Sequence, residues 1–540
     1  MRSRYLKYIF LLALLSNALV SCGQQDRKID RADSLARAWD KTIPGNFSTQ
    51  SKSVFNNSAI SRFFEKYPEV IAYKEQLQNF YSNRKFAYAW FDDGILIEQA
   101  GNLTNRLMNL QKDGIYSSIP YQRQLDSLMT LQAEEKQPDI MLELMLTSQY
   151  LAFSKLAWVG MNSSASKSSG WNLPRKKLDY DLYLDSLLKA PAENFSAAEP
   201  VYRQYELLRE FLRKYRALDA RNNWLPISAV KLPTPGDSSA FVLQLKGRLF
   251  KLTDFQGDTS SNRYDDTLLN ALKRFQDRHG LAVTGLLNKE TLFELNVPLK
   301  SRIRQILVNM ERSRWLPVTL KTDYLAVNIP EFKLHVYHAD SLLWSCNVVV
   351  GKTMHQTTLF YGEVKYVVFS PYWNVPQSIV RKEIIPGIRK DPEYINRHNM
   401  EIIGRQDGLP VVRQKPGPGN SLGLVKFLFP NRYNIYLHDT PSKSLLGETT
   451  RAFSHGCIRI AEPVKLANFL LKNTEWDAQR VAEAMHSGQE RYVTLAEKTP
   501  VFIAYFTAFT DRDNRLNFRK DIYKLDERLA TMIVSGKGAY

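Results

Sequence analysis

The hydrophobic pattern of this chain changes its period near Pro317. Before that point, apolar residues recur at intervals of three and four, as on one face of an amphipathic helix. After it, apolar and polar residues alternate, as along a strand with one buried face. The change predicts a multidomain α+β protein, mainly helical in its N-terminal half and rich in β-strand in its C-terminal half.

Length, composition and charge narrow the class of protein. The chain has 540 residues, of which 44% are hydrophobic and 12% aromatic, as is typical of several globular domains. The formal net charge of +18 is spread along the chain, without a dense Lys/Arg tract or a recognition motif for DNA or RNA. We therefore expect no nucleic-acid partner. The charge indicates either a solvated basic surface or attraction to an anionic polymer or membrane face.

The N-terminus predicts export. Residues 1–22 have the form of a signal peptide: basic residues precede an apolar run that is too short to span a bilayer comfortably. The run ends in Leu-Val-Ser-Cys, which resembles a bacterial lipobox and implies lipidation of Cys22 and attachment to a membrane. An ordinary signal peptide with a chance cysteine is the alternative. Residues 23–55 are polar and predict a flexible tether, so we expect a periplasmic lipoprotein, with the outer membrane as its expected site.

The helical half divides into three parts. Residues 56–242 carry apolar stripes at 142–153 and 202–215 and predict a helical scaffold domain. Residues 298–318 are amphipathic and predict a helix that links this half to the next. Between them, residues 243–297 follow a different pattern.

That middle part predicts a small helical module. Asp265 and Asn288 are placed to cap two helices, and Gly280 ends the first of them. The pattern helix-RFQxxxGLxxTGxxxxxT resembles the peptidoglycan-binding domain type 1, which implies cell-wall binding or use as a spacer. His279 is interpreted as a surface helix end and not as a metal ligand, because no partner ligands lie at zinc spacing.

The rest of the chain predicts a β-rich domain over residues 319–512, followed by a C-terminal tail at 513–540. Alternation on both sides of a turn at 338–340 indicates a hairpin, and Cys346 in its second strand is interpreted as a small buried hydrophobe. Residues 377–429 interrupt the strands with basic and Gly/Pro-rich stretches. An insertion of this length is often a lid or capping subdomain over a substrate site, with a purely structural excursion as the alternative.

The stretch from His438 to Arg459 carries residues suited to thiol chemistry. Cys457 is unpaired in a protein expected outside the cytoplasm, and catalysis would explain it. A thiol becomes a nucleophile as its thiolate, so it needs a base or an electropositive setting. His438, which lies nineteen positions earlier at the end of a predicted strand, is the candidate base. Asp439 is the candidate group that orients the imidazole, through its carbonyl or its side chain.

The neighbours of the thiol have candidate roles as well. His455 would tune the thiol or orient the loop, and Arg459 would hold a carboxylate. The N–H groups of Gly456 and Cys457 would form an oxyanion hole. The pattern supports cysteine acyl transfer on a peptide-like carbonyl. A metal site built from His438, His455 and Cys457 and a structural loop with a free thiol stay as alternatives.

At these residues the chain resembles the YkuD family of L,D-transpeptidases, whose signature is a His followed fourteen to seventeen residues on by Ser/Thr-His-Gly-Cys. Here fifteen residues separate His438 from the run SHGC at 454–457. Three further stretches resemble the YcbB subfamily, namely YWNVP at 372–376, RQKPGPG at 413–419 and IYLHDT at 435–440. That subfamily combines a scaffold region, an inserted peptidoglycan-binding module and a catalytic domain with a capping subdomain.

The resemblance implies a two-step transfer on peptidoglycan without a cofactor or metal. Cys457 would attack a donor tetrapeptide stem, release the terminal D-Ala and pass the stem to a diamino-acid amine of a second stem, which makes a 3→3 cross-link. It implies His438 as base, acylation by penems and carbapenems, and glycan as a further partner. Asp439 stands where many relatives have glycine, so its orienting role is expected of its backbone. The residues expected to bind substrate are Arg459, Tyr436, Ser454 and Trp373.

Two other functions stay open. Water as the acceptor would make the enzyme an L,D-carboxypeptidase, which the motif does not distinguish. A non-catalytic wall-binding lipoprotein would use the helical module beside a degenerate enzyme domain, and the intact motif residues argue against it.

Overall fold

The computed structural model describes residues 53–133, 135, 137–176, 200–317, 320, 322–339 and 341–535. The expected signal peptide, Cys22 and nearly all of the expected tether lie outside the described residues. The chain forms two compact units: the first holds the described residues up to Gly160 together with Pro200 and Val201, and the second holds Met161–Lys176 and the chain from Tyr202 onwards. Among the described residues, no helix is both long enough and apolar enough to cross a bilayer.

The first unit is built around one buried helix, α5. Its elements are α1 (Ser58–Lys66), α2 (Lys74–Asn83), β1 (Phe91–Asp92), β2 (Ile95–Leu96), α3 (Glu98–Met108), α4 (Gln122–Gln132) and α5 (Ile140–Ser154). Asp139 caps α5, and all of its residues from Leu142 onwards are buried, because the helix is apolar almost all round. Glu143 within it accepts from the Tyr81 hydroxyl at 2.7 Å, and burial raises the pKa of this carboxyl to about 7.

The second unit begins with helices and one short strand. They are α6 (Ser163–Ser168), β3 (Trp171–Asn172), α7 (Gln204–Arg221), α8 (Ala240–Lys251), α9 (Asp266–Arg278), α10 (Lys289–Asn296) and α11 (Leu299–Trp315). Helix α7 packs along α11. The helices of the predicted scaffold, residues 56–242, are therefore divided between the two units.

Helices α8 to α10 enclose a core of their own. Asp265 and Asn288 cap α9 and α10 through their side chains, as the sequence predicts. His279 is buried, so the expectation of a surface helix end is wrong. Its ring stacks on Phe275 at a centroid distance of 3.8 Å, and Phe518 lies 5.6 Å from it on the other side. The predicted surface position failed because a residue from far along the chain covers this helix end.

The β-rich domain is a sheet that closes on itself. Its strands are β4 (Asp323–Asn328), β5 (Lys333–His338), β6 (Ser341–Gly351), β7 (Leu359–Phe369), β8 (Trp373–Asn374), β9 (Met400–Gln406), β10 (Leu409–Gln414), β11 (Val425–Leu428), β12 (Leu437–His438), β13 (Ala452–Ser454), β14 (Ile458–Ile460) and β15 (Arg491–Ala504). The hydrogen-bonded order is β11-β12-β14-β6-β5-β4-β15-β7, and β7 pairs again with β11. Strands β5 and β6 form the predicted hairpin. Cys346 is buried in it, and burial raises the pKa of this thiol to about 11.

The insertion, defined here as residues 373–414, folds around a separate hydrophobic core. Its sheet has the order β8-β10-β9, and its helices are α12 (Gln377–Ile379), α13 (Ile385–Lys390) and α14 (Tyr394–Arg397), with a π-helical turn at Val380–Ile384. Val380, Ile384 and Val412 are buried in that core. The predicted insertion at 377–429 differs at both ends, because β8 begins earlier and β11 belongs to the closed sheet.

The C-terminal segment, defined as residues 505–535, packs into the second unit. After α15 (Pro463–Leu470) and α16 (Ala478–His486), it contains β16 (Ala508–Thr510), β17 (Leu516–Phe518) and α17 (Asp526–Ser535). The Gln305 amide of α11 donates to the carbonyls of Thr507 and Arg519, each at 2.9 Å. Arg312 of the same helix forms an ion pair with Asp526 at 2.6 Å. The described part of the predicted C-terminal tail, residues 513–535, is therefore folded.

Candidate active site

The parallel pairing of β12 with β14 brings the motif together. His438 pairs with Arg459, and the bond from Ile458 N–H to the Tyr436 carbonyl, at 3.1 Å, continues this register to Tyr436 and Cys457. Side chains alternate between the faces of a strand, so positions two apart share a face. Tyr436, His438, Cys457 and Arg459 therefore lie on one face of the strand pair, although nineteen positions separate the base candidate from the thiol.

The thiol of Cys457 is half-buried and held by polar groups. Its Sγ lies 3.5 Å from the Asn434 carbonyl, and the backbone N–H and the phenol of Tyr436 both hydrogen-bond to the sulfur. Burial raises the pKa of the thiol, whereas the Tyr436 hydrogen bonds and the Arg459 guanidinium oppose that rise. The thiol is therefore neutral at rest, and it would need a base to become a nucleophile.

His438 has the protonation state that such a base needs. Its Nδ1 lies 2.5 Å from the Asp439 carbonyl, a contact that requires the proton on Nδ1 and leaves the Nε2 lone pair free to accept. Burial, together with Arg459, lowers the pKa of the imidazole to about 4, while the carbonyls of Asp439 and Leu422 oppose the shift. The ring is buried and neutral at neutral pH.

Asp439 acts on its neighbours through both backbone and side chain. Its carbonyl orients His438, and its carboxylate accepts from Leu424 N–H at 2.9 Å and pairs with Lys443. A Cβ at Gly423 would come 2.3 Å from Asp439 Oδ2, so the carboxylate packs directly against a glycine with φ +63°. The side chain therefore fixes the loop that leads into β11.

The turn before the thiol is held by Ser454. This buried residue donates from its hydroxyl to the Cys457 carbonyl at 2.6 Å and accepts from Gly456 N–H at 3.1 Å. The structure thus differs from two expectations. The Gly456 N–H is directed at Ser454 and not at an oxyanion site, and the Ser454 hydroxyl, expected to bind substrate, is engaged within the turn. Cys457 N–H stays as the predicted oxyanion donor.

His455 faces the insertion. Its Nε2 lies 3.1 Å from Glu383 Oε1, and its ring lies 5.1 Å from that of His355. Burial lowers the pKa of His455, with the positive charge of Lys352 adding to the effect, and the Glu383 carboxylate opposes it. The contact joins the SHGC turn to the π-helical turn of the insertion. A role of His455 in tuning the thiol stays a prediction.

The remaining predicted substrate residues, Arg459 and Trp373, lie on strands of different sheets. Arg459 is partly buried beside Cys457, and within the described chain its Nε has no hydrogen-bond partner. A guanidinium next to the thiol suits a carboxylate of the substrate. Trp373 lies in β8, pairs with Gln414 and packs against the core of the insertion.

Among the described residues, no group of three or more His, Cys, Asp or Glu side chains is arranged to hold a metal ion.

Two buried residues that the sequence analysis missed hold the SHGC turn in place through hydrogen bonds. Thr357 donates from Oγ1 to the Gly456 carbonyl at 2.7 Å. Tyr523 accepts from Thr357 N–H at 3.2 Å and donates to the Gly351 carbonyl at 2.5 Å. Thr357 lies in a short loop, and Tyr523 lies in the predicted C-terminal tail. Neither stretch has a periodic sequence pattern that indicates a function.

Sequence comparisons agree with this organisation. Residues 322–503 match the family described as "L,D-transpeptidase catalytic domain", YkuD. Residues 75–212 match the "Scaffold domain", and residues 238–295 match the "Putative peptidoglycan binding domain". These matches confirm the family and the module predicted from the motifs, whereas the YcbB-like subfamily stays a prediction.

Individual relatives are more distant. Over 313 residues, 53% of its length, the chain is 30% identical to a Haemophilus influenzae protein named "Putative L,D-transpeptidase", and it spans 63% of that protein's length. An L,D-transpeptidase structure from Xylanimonas cellulosilytica shares 15% identity and covers 51% of this chain and 99% of its own, with a TM-score of 0.18. One from Stackebrandtia nassauensis shares 14% identity, with coverages of 52% and 97% and a TM-score of 0.22. At such TM-scores, these two structures add no support.

The mainly helical first half, the small module and the β-rich second half agree with the predicted fold class. The residues that bear the Cys/His signature lie within the matched catalytic region. By this match, residues 322–503 are placed in the YkuD family described as "L,D-transpeptidase catalytic domain", in a chain that also matches the "Putative peptidoglycan binding domain".

Proposed function

We propose that this protein is a peptidoglycan L,D-transpeptidase that forms 3→3 cross-links. The observation that carries the proposal is the β12–β14 register, which sets the Cys457 thiol, the neutral His438 imidazole and the Arg459 guanidinium on one face. The match to the catalytic family supports the reaction type.

The first step is acylation of Cys457. His438 Nε2 accepts the thiol proton as the sulfur attacks the carbonyl carbon of the third residue in the donor stem. The C–N bond to the terminal D-Ala breaks, and its amine leaves with the proton from the imidazolium. Cys457 N–H stabilises the negative charge that develops on the carbonyl oxygen. Arg459 holds the carboxylate of the D-Ala that leaves.

The second step transfers the acyl group. The side-chain amine of a diamino acid on another stem attacks the thioester, His438 takes its proton, and the thiolate leaves and is reprotonated. With water in place of the amine, the same steps would give an L,D-carboxypeptidase, so the acceptor decides between the two reactions. A protein that only binds the cell wall would need neither the neutral imidazole of His438 nor the thiol of Cys457 on the same face.

The proposed location rests on the other parts of the chain. We infer that the module of α8 to α10 binds peptidoglycan, supported by its family match. Lipidation of Cys22 would hold the protein at the periplasmic side of a bacterial membrane, the outer membrane being the expected one. Cys22→Ser should release the protein from membrane fractions, and retention there would contradict the anchor.

The deciding experiment is covalent labelling by a carbapenem, followed by intact mass. The wild type should gain one adduct, Cys457→Ala should gain none, and Cys346→Ala should label as the wild type does. An unlabelled wild type would contradict the proposal. Tetrapeptide-bearing disaccharide fragments should then yield a cross-linked dimer, whereas release of D-Ala alone would identify the carboxypeptidase.

The base role is tested separately. His438→Ala should slow acylation by about 10²–10⁴-fold, the usual contribution of a general base. Thermal unfolding should show that this variant remains folded. Acylation at the wild-type rate would remove His438 from that role.

A further inference from the structure

The peptide unit between Gly456 and Cys457 is anchored on its carbonyl side. Thr357 is fully buried, and its Oγ1 donates to the Gly456 carbonyl at 2.7 Å. The same oxygen accepts from Gly351 N–H at 2.9 Å. Because a hydroxyl has one hydrogen to give, these two bonds fix the direction in which Thr357 donates.

Thr357 is in turn fixed by the C-terminal segment. The Tyr523 hydroxyl accepts from Thr357 N–H at 3.2 Å and donates to the Gly351 carbonyl at 2.5 Å. Tyr523 N–H donates to the Tyr505 hydroxyl at 2.8 Å, and that hydroxyl donates to Asp521 at 2.6 Å. A Cβ at Gly351 would lie 2.8 Å from Thr357 N, so the loop approaches β6 as closely as a glycine allows.

The anchor determines where the next N–H points. In a trans peptide unit, the C=O and the following N–H point in opposite directions. A carbonyl of Gly456 held on Thr357 therefore directs Cys457 N–H away from Thr357. Gly456 has φ +122°, a region that glycine enters without steric penalty, so its own backbone preference does not define this peptide plane.

We propose that Thr357 and Tyr523 are positioning residues that aim Cys457 N–H at the oxyanion formed during acylation. The inference rests on the proposed function and extends it to a residue in the C-terminal segment. Neither side chain needs to touch substrate. Each acts by fixing a dipole before the reaction begins, which is how preorganised donors lower a barrier.

A merely structural role predicts a different outcome, and two reactions of the same thiol separate the roles. Acylation by a carbapenem passes through a tetrahedral oxyanion, so it depends on the aimed N–H. Alkylation by iodoacetamide displaces iodide at a saturated carbon and forms no such oxyanion. General disorder of the site would slow both reactions, whereas loss of the aimed N–H would slow acylation alone.

The experiment measures both rates at Cys457, by mass of its peptide, in Thr357→Val, Thr357→Ser and Tyr523→Phe. Thr357→Val and Tyr523→Phe should slow acylation about tenfold, a part of the loss that follows removal of an oxyanion donor. Alkylation should stay within about twofold of the wild type, and Thr357→Ser should restore acylation. Tyr264→Phe is the matched control, because it removes a buried phenol bond to a carbonyl, 2.5 Å long, within the helical module.

Acylation at the wild-type rate in Tyr523→Phe and Thr357→Val would overturn the proposal, as would equal slowing of both reactions. If Thr357→Val does not fold, Tyr523→Phe decides, since it leaves the Thr357 hydroxyl in place. A wild type that is not acylated at all would overturn the proposed function and this inference together. A labelled wild type with unaffected variants would overturn the inference alone.

Discussion

The insertion and the C-terminal segment both reach the SHGC turn, but by contacts of different kinds. The insertion has its own core and meets the turn through Glu383 and His455. The C-terminal segment packs on α11 and meets the turn through Tyr523 and Thr357. The first is a partly exposed contact between an imidazole and a carboxylate, and the second is a chain of buried hydrogen bonds.

The two contacts differ in how far their side chains are exposed to solvent, and this difference sets their strength. The side chains of His455 and Glu383 are 37% and 51% exposed, so water can replace their contact when it opens. Thr357 and Tyr523 are 0% and 4% exposed, and a buried donor left without a partner is expensive. Within the described contacts, the link from the turn to the insertion is therefore the weaker one, and the link to the C-terminal segment is the stronger; opening of the insertion as a lid stays a prediction.

The largest expected difference between the two regions is in stability. Asp526→Ala would strand Arg312, whose side chain is 2% exposed, and should lower the free energy of unfolding by about 3–5 kcal/mol. Glu401→Ala breaks the pair with Arg413 in the insertion, where the side chains are 30% and 33% exposed, and should cost about 0–1 kcal/mol. Denaturant unfolding measures both. Equal losses would contradict the distinction between the regions.

A second test concerns which groups control the thiol. Because burial raises the Cys457 pKa, the rate of iodoacetamide alkylation should rise about tenfold per pH unit from pH 7 towards the thiol pKa, in step with the thiolate fraction. His438, with a pKa of about 4, stays neutral throughout and should add no inflection. Glu383→Gln should leave the profile unchanged, since the groups at the sulfur are Asn434, Tyr436 and Arg459, none of which belongs to the insertion. A plateau starting below pH 7 would instead indicate a resting thiolate–imidazolium pair.

The smallest effect is expected at the surface contact. Glu383→Gln removes the carboxylate that raises the pKa of His455, so the pKa of this imidazole should fall, as NMR titration of the ring would show. Acylation should change by less than about fivefold, because an exposed pair contributes about 0–1 kcal/mol. Lys382→Gln, which alters a neighbouring charge in the same turn, is the control. A loss above a hundredfold would place the insertion in the chemistry itself.

Local patterns predicted the local structure of this protein. Alternating residues predicted the hairpin of β5 and β6, and single polar residues predicted the helix caps at Asp265 and Asn288, because those features depend on residues a few positions apart. The signature predicted which residues would meet at β12 and β14. Their catalytic roles stay predictions.

Local sequence patterns did not predict the contacts between distant segments. Phe518 buries His279, and Tyr523 supports Thr357, yet nothing in either neighbourhood specifies a partner so far along the chain. The use of Gly456 N–H by Ser454 also escaped prediction, since a spacing of two residues does not show where a hydroxyl points. Such pairings depend on how the sheet closes, which the strand pattern alone does not determine.

The neutral state of the Cys457 thiol has a consequence for the lifetime of the enzyme. Peroxides and disulfides, like alkylating agents, react with the thiolate. A sulfur whose pKa is raised by burial presents little thiolate at rest and is therefore oxidised slowly. The arrangement that makes the proposed nucleophile dependent on a base also protects it at rest, which matters most at the proposed location outside the cytoplasm, where no cytoplasmic reductant can restore a damaged sulfur.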